Sequence, residues 1–364
     1  MVIICDCHYR SAICAIRSFY KFDKDIVAVV TKDHPSPPAF SSRYVKEKHF
    51  LSDNKDEYTK ELLKLCKRYD RPILFPVGNF SLNVISENLD EFYQCADFCV
   101  SVPTMLADLN DKKWVKNKAI EFGIKVPERY SIDSIAEYPV VVKPFCGEKF
   151  SQKAADRYRI AQSEQELNEA YQFFKQFDDE PIIEKYIPGN GFGVNVLFNN
   201  ECKAENVFCH RRIVEYPING GPSALLETAY NEEIINNTVE FFEKIGFCGI
   251  AMAEFKESDD GYYLLEINPR IWGSFPSTYH AKSDFIESYI RAARGINCKF
   301  SGSYKRGKKI KFIRGLGAAF LSYLKSGKFL KGISTLLNLL NPFVPDALFT
   351  FTDPIPFFKD LFRR

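Results

Sequence analysis

Met252-Ala253-Glu254-Phe255, a short turn, and then Tyr263-Leu264-Leu265-Glu266-Ile267-Asn268-Pro269-Arg270 is the stretch that decides how this chain folds. Its two apolar runs flank Asp259-Asp260-Gly261, a turn signal that predicts an antiparallel hairpin. Glu266 and Asn268 stand two apart in a strand, so their side chains leave one face, and Glu254 reaches that face from the partner strand. Hard oxygen ligands of this kind suit Mg²⁺, which keeps several waters and takes the rest of its shell from carboxylates and phosphates. Arg270, on the same side, offers a planar fork to a phosphoryl or carboxylate oxygen. The plain alternative is a solvated hairpin with scattered charges. Asn268-Pro269-Arg270-Ile271-Trp272 straight after an apolar strand is poor surface filler, which argues against it.

The 364 residues give room for two or three domains and a large core, and 46% apolar with 26% charged residues is the composition of a globular chain. The net charge of +2 says little as a total, and no nucleic-acid partner is expected. Its distribution says more: residues 303–332 hold nine Lys or Arg and no acid. Eleven cysteines are an odd number, and spacings such as Cys5-x-Cys7 and Cys95-x₃-Cys99 match no zinc or redox pattern. With no signal peptide and no apolar run of 18 residues, a cytoplasmic location is the expectation.

Residues 1–107 alternate strand and helix patterns: strands at 2–5, 26–30, 73–77 and 98–102, helices at 11–22 and 58–68. Such alternation predicts a parallel sheet covered on both faces. Asp6-Cys7-His8-Tyr9-Arg10 occupies the first strand-to-helix loop, where a dinucleotide fold would carry Gly-x-Gly-x-x-Gly. After Pro103 the pattern changes. A helix over 111–122 ends at Gly123, strands follow at 138–143 and 182–187, 189–193 reads as a turn into a strand at 194–198, and a helix spans 232–245. Past residue 300 lies a basic segment with Leu316, Phe320, Tyr323/Leu324, Ile333, Leu336/Leu337 and Leu340 at helical spacing. Packing on the protein itself is the expected role; peripheral contact with an anionic membrane is the alternative, and Lys325 excludes a transmembrane span.

Four segments precede the hairpin: Asp111-Lys112-Lys113-Trp114; Tyr138-Pro-Val-Val-Val-Lys143; Glu184-Lys185-Tyr186-Ile187-Pro-Gly189; and His210-Arg211-Arg212 with Gly220-Gly221-Pro-Ser223. In order and spacing the five segments resemble the ATP-grasp superfamily, that of carbamoyl-phosphate synthetase, biotin carboxylase and the carboxylate–amine ligases. The resemblance runs from about residue 100 to 295, and the first hundred residues resemble the domain that precedes it. It implies an α/β fold of the α+β grasp type: a parallel-sheet domain over 1–107, a two-lobed grasp domain over 108–300 with a lid lobe at roughly 130–190, and a helical basic tail over 301–364.

The resemblance also implies roles. Lys112 and Lys143 contact nucleotide phosphates. Glu184 accepts from the adenine amino group, while backbone groups at Lys185 and Ile187 read the ring edge. Glu254 and Glu266 hold metal, with Glu266 bridging two Mg²⁺ (or Mn²⁺) ions and Asn268 completing the second site. Arg270 steadies the transferred phosphoryl group. Arg212 and Ser223 lie where the acceptor carboxylate binds, although an arginine doublet on a loop is equally well read as solvated. The sequence departs from the family pattern twice. One glycine, Gly147, stands in the loop after Lys143, with Lys149 or Ser151 as substitutes, and Gly191 stands where a ribose-binding acid is usual. The implied activity is ATP-dependent ligation of a small-molecule carboxylate to an amine. Phosphorylation of bicarbonate or carbamate, and nucleotide binding without turnover, are the alternatives; a homodimer is the base-rate oligomer.

Overall fold

The computed structural model describes residues 1–144, 158–218, 220–296 and 299–363. Strands β1 (Val2–Ile4), β2 (Ile26–Thr31), β3 (Val45–Leu51) and β4 (Ile73–Phe75) form a parallel sheet in the order β3-β2-β1-β4. β1, β2 and β4 are buried throughout because helices cover both faces. Ile13, Ile16 and Phe19 of helix Arg10–Phe19 pack on one side; Tyr58 and Leu62 of helix Lys55–Cys66 pack on the other.

Two departures from the sequence reading have physical causes. β3 is an edge strand, Val-Lys-Glu-Lys-His-Phe-Leu, in which half-buried and exposed residues alternate, so no continuous apolar run marks it. Residues 98–102 form no strand. Beyond an isolated bridge from Asp97 to Ile73 the segment leaves the sheet, and the Ser101 hydroxyl donates to Cys248 O at 2.6 Å while the Ser86 hydroxyl donates to Ser101 O at 2.6 Å. Side chains thus meet the backbone groups that a ladder would have met.

A second, antiparallel sheet holds β5 (Arg129–Tyr130), β6 (Val140–Lys143), β7 (Arg159–Ala161) and β8 (Ile182–Lys185) in the order β5-β8-β6-β7. Helix Glu164–Lys175 covers it through Leu167, Ala170 and Phe174. The third sheet is antiparallel with order β13-β12-β9-β10-β11-β14, built from β9 (Asn190–Phe198), β10 (Ala204–Glu215), β11 (Ser223–Ala229), β12 (Gly249–Ser258), β13 (Gly261–Asn268) and β14 (Lys309–Lys311). Helix Glu232–Ile245 closes one face over Val194, Val196, Ala251 and Leu264.

The decisive hairpin is β12–β13, and its register is as the side-chain alternation requires: Glu254 lies opposite Glu266 and Met252 opposite Asn268. Ser258 pairs with Gly261, so Asp259 and Asp260 alone make the turn, and Gly261 at φ +129° opens the return strand. Residues 190–193, read as a turn, are already strand: Asn190 to Gly193 pair with Glu257 to Glu254.

Beyond residue 300 the chain is not only helical, since β14 is the edge of the third sheet and pairs with β11. Helix Ile313–Lys325 lays Leu316, Ala319 and Tyr323 over Val214, Ala224 and Leu225. The chain then returns to the first sheet. Arg17 Nε lies 2.9 Å from Asp353 Oδ2, both side chains 2% exposed, and the remaining guanidinium nitrogens donate to Leu348 O and Asp353 O. Residues following β13 bind the first and third sheets: Trp272, Phe275, Phe285 and Tyr289 share one core with Val2 and Phe75. No helix among the described residues is long and apolar enough to cross a membrane.

Candidate active site

The face of β12–β13 turned from helix Glu232–Ile245 carries the expected carboxylates. Asn268 Nδ2 lies 3.4 Å from Glu254 Oε1 and 3.3 Å from Glu266 Oε1, one amide between two acids. Arg270 Nη2 donates to Asn268 Oδ1 at 3.3 Å. Glu254, Glu266, Asn268 and Arg270 are therefore together. Burial raises the Glu254 carboxyl above its usual range, and neighbouring Glu266 adds to this although Arg212 opposes it. Burial pushes Glu266 the same way, but the Lys112 and Lys143 ammonium groups outweigh it and hold Glu266 low. One acid of the pair is kept ionised and the other is pressed toward neutrality.

Those lysines come from two other elements. Asp111 caps helix Lys112–Glu121, its Oδ1 accepting from Lys113 N at 2.7 Å and Trp114 N at 2.9 Å, which fixes Lys112 at the first helical position. Lys112 Nζ donates to Pro144 O at 3.2 Å, next to Lys143 at the end of β6. Lys143 Nζ is 2.9 Å from Glu184 Oε2, and Lys116 contacts the other oxygen, Glu184 Oε1. Glu184 is 2% exposed on β8 with both carboxylate oxygens engaged. This carboxylate, expected from the sequence to meet an adenine amino group, lies between Lys116 and Lys143. A single carboxylate neutralises one of them. Burial, with Lys143 and Lys112 nearby, pushes Lys116 down to about 5, and burial beside Lys112 pushes Lys143 down to about 7. Both ammonium groups are pressed toward deprotonation.

Lys185 and Ile187 continue the same strand. The Lys185 amide donates to Glu128 O at 2.9 Å and the Tyr186 amide to Pro139 O at 3.3 Å; the Lys185 side chain pairs with Glu137, and Ile187 is buried. A hollow of about 530 Å³ opens beside this segment, lined by Lys112, Lys116, Ile120, Arg129, Ile182 and Glu184. Its lining does not reach Glu254, Glu266 or Arg270.

Arg212 on β10 is inside the site rather than solvated. Its Nη2 lies 2.7 Å from Glu254 Oε2, and Nη1 lies 3.5 Å from Glu215 Oε1 and 3.3 Å from Gly221 O. Gly191 accounts for the fit, because a Cβ there would stand 2.8 Å from Arg212 Cδ and 3.0 Å from Glu215 Oε1. The position that lacks a ribose-binding acid is filled from the neighbouring strand by Arg212. Ser223 starts β11 opposite Glu215, with its hydroxyl buried and unpartnered among the described residues. Arg211 points elsewhere, its fork spent on Glu257 at 2.5 and 2.6 Å. Gly147, Lys149 and Ser151 lie outside the described residues.

Sequence reasoning missed Lys116 and gave Glu215 and His210 no task. Lys112 and Lys116 are i, i+4 on one helix and so share a face, which was a readable signal. His210 is fully buried, hydrogen-bonded to Asn195 on one nitrogen and to the Ser274 hydroxyl at 3.1 Å on the other. Burial lowers it to about 3, so it is neutral and ties β10 to the loop that follows Arg270.

A family model for the ATP-grasp domain matches residues 109–274, the segment that supplies all of these side chains. Residues 109–274 form an ATP-grasp domain. The D-alanine–D-alanine ligase of Syntrophotalea carbinolica is 29% identical over 143 residues, which is 37% of this chain and 45% of the ligase. This chain thus spans under half of that curated relative's length. In fold, this chain is similar to an N5-carboxyaminoimidazole ribonucleotide synthetase solved with ADP, with a TM-score of 0.61, 17% identity and coverage of 91% of this chain and 85% of that one. It is also similar to the biotin carboxylase domain of the 2-oxoglutarate carboxylase of Hydrogenobacter thermophilus, solved with MgADP and bicarbonate. There the TM-score is 0.61, the identity 16% and the coverage 84% and 72%.

Proposed function

We propose that this chain is an ATP- and Mg²⁺-dependent ligase that activates a carboxylate as an acyl phosphate and joins it to an amine, releasing ADP and phosphate. The observation that carries this reading is the Glu254–Glu266 pair with Asn268 between them, facing Lys112 and Lys143. Two carboxylates and a carboxamide oxygen suit Mg²⁺ or Mn²⁺, leaving the balance of the shell to water and phosphate oxygens. Glu254, Glu266 and Asn268 would hold the metal, with Glu266 shared if two ions bind. When bound, the metal neutralises charge that builds during phosphoryl transfer.

The chain's own groups do the rest. Lys112 and Lys143 bind nucleotide phosphates as point charges. Glu184 holds Lys143 in place. With the Lys185 and Tyr186 amides already used, purine recognition falls to the carbonyls of this segment and to Ile187. Arg270, held through Asn268, presents its guanidinium to the transferred phosphoryl group. Arg212, with Ser223 nearby, takes the acceptor carboxylate. To take the acceptor, Arg212 would release Glu254, which would then be free to serve as a metal ligand. No covalent nucleophile is needed, and burial raises the Cys5, Cys7, Cys99 and Cys209 thiols far from the reactive range.

The test is a screen of carboxylate–amine pairs with Mg-ATP, read by phosphate release and product mass. Phosphate release that requires both partners, and that is lost in Glu266→Ala, supports the ligase. Release with bicarbonate alone replaces that reading with carboxyl-phosphate formation. Nucleotide binding without turnover on any pair removes the ligase reading.

A further inference from the structure

Helices Ile313–Lys325 and Phe329–Leu340 pack together, joined by a turn at Gly327. The first buries its apolar side on the third sheet. The second rests on the first through Gly332 and Thr335, and Gly332 is so close that a Cβ would stand 3.2 Å from Leu324 Cδ2. Its other face carries Leu330, Ile333, Leu337 and Leu340, at i, i+3, i+7 and i+10, and these are 85%, 55%, 66% and 69% exposed. Phe329 and Phe343 extend the same exposed apolar surface. A helix of a soluble fold turns such a stripe toward its core; here the stripe is turned to solvent.

Charge names the occupant. Lys325, Lys328 and Lys331 are exposed around the start of the helix, and no acidic residue occurs between 303 and 345. Lys328 at the N-cap and Lys331 in the first turn sit where the helix dipole disfavours cations, so they do not serve the helix itself. An anion beside them relieves that penalty. A coiled-coil partner would be specified by flanking charges of both signs, which this acid-free segment lacks. We propose that helix Phe329–Leu340 lies in the plane of an anionic lipid surface. Its leucine and isoleucine stripe enters the acyl boundary, and Lys325, Lys328 and Lys331 meet headgroup phosphates. Twelve residues span about 18 Å, which suits a helix lying on a bilayer and not one crossing it.

Co-sedimentation of the full chain with phosphatidylglycerol–phosphatidylcholine vesicles, against vesicles of phosphatidylcholine alone, tests this directly. The chain is expected to pellet with the anionic vesicles, to be released as salt rises, and to stay in solution with the neutral ones. Ile333→Asp/Leu337→Asp changes only exposed residues, so it leaves the melting temperature in place while reducing retention at least tenfold. Each of Lys325→Gln, Lys328→Gln and Lys331→Gln weakens retention by about fivefold. Equal retention on neutral vesicles, or no retention on either, overturns the proposal. So does sedimentation velocity in which the wild type is a dimer that Ile333→Asp/Leu337→Asp converts to a monomer, because the stripe is then an interface between two copies.

Discussion

Two buried clusters of charge in this molecule are built on opposite terms. Where the C-terminal segment meets the first helix, Arg17 and Asp353 balance one for one. All three guanidinium nitrogens have acceptors, and Asp353 also takes the Ser42 hydroxyl at 2.8 Å and the Arg43 amide at 3.0 Å. In the cleft the charges do not pair one for one, although Arg212 engages Glu254. One carboxylate serves Lys116 and Lys143, two facing acids share one amide, and protonation is displaced in both directions. A satisfied ion pair is a structural joint. An unsatisfied cluster of displaced titrations is poised for ligands that bring the missing charge.

That contrast can be broken most severely at Glu266. In Glu266→Ala, nucleotide-dependent phosphate release should fall by at least about 10²-fold, as when one preorganised charge partner is removed, while the melting temperature stays or rises. If activity survives within a few-fold, the cleft is not the reacting centre. At the joint the response should be the reverse. Asp353→Ala strands a buried guanidinium and should lower stability by about 3–5 kcal/mol in denaturant melts, with Mg-ATP affinity of the folded fraction unchanged.

A finer test uses Lys143. Burial beside Lys112 pushes its ammonium down to about 7, well below the usual lysine range. Bound phosphate raises that value, so the complex holds more protons and nucleotide affinity should fall as pH climbs above 7. The same proton uptake makes the calorimetric binding enthalpy depend on the buffer's ionisation enthalpy, and Lys143→Met should abolish that dependence. The smallest expected effect is at Gly191→Ala, which crowds Arg212 without deleting a charge. We expect a several-fold rise in the KM of the acceptor carboxylate with kcat nearly unchanged.

Parts of this comparison were legible in the sequence. The Glu254–Asn268 hairpin could be read because a strand's period of two fixes which side chains share a face, and the Asp111 cap marks where Lys112 begins its helix. That Lys116 shares a face with Lys112 was legible from the i, i+4 spacing, but its pairing with Glu184 was not, because the spacing does not say whether that face meets water or a buried acid. Arg212 beside Gly191 depended on the register of β9 against β10, which no local pattern encodes. β3 was missed for its charged alternation, and 98–102 misread because burial without pairing resembles a strand. The joint was invisible, since Arg17 and Asp353 are 336 residues apart.

That separation has a temporal consequence. Translation delivers the first sheet and Arg17 long before Asp353, and Phe357 of the same first core comes later still. The nascent sheet, complete at Phe75, therefore waits with a cationic gap in its flank until Asp353 is made. Docking of the segment around Asp353 and Phe357 onto helix Arg10–Phe19 therefore follows the synthesis of that helix and of the first sheet.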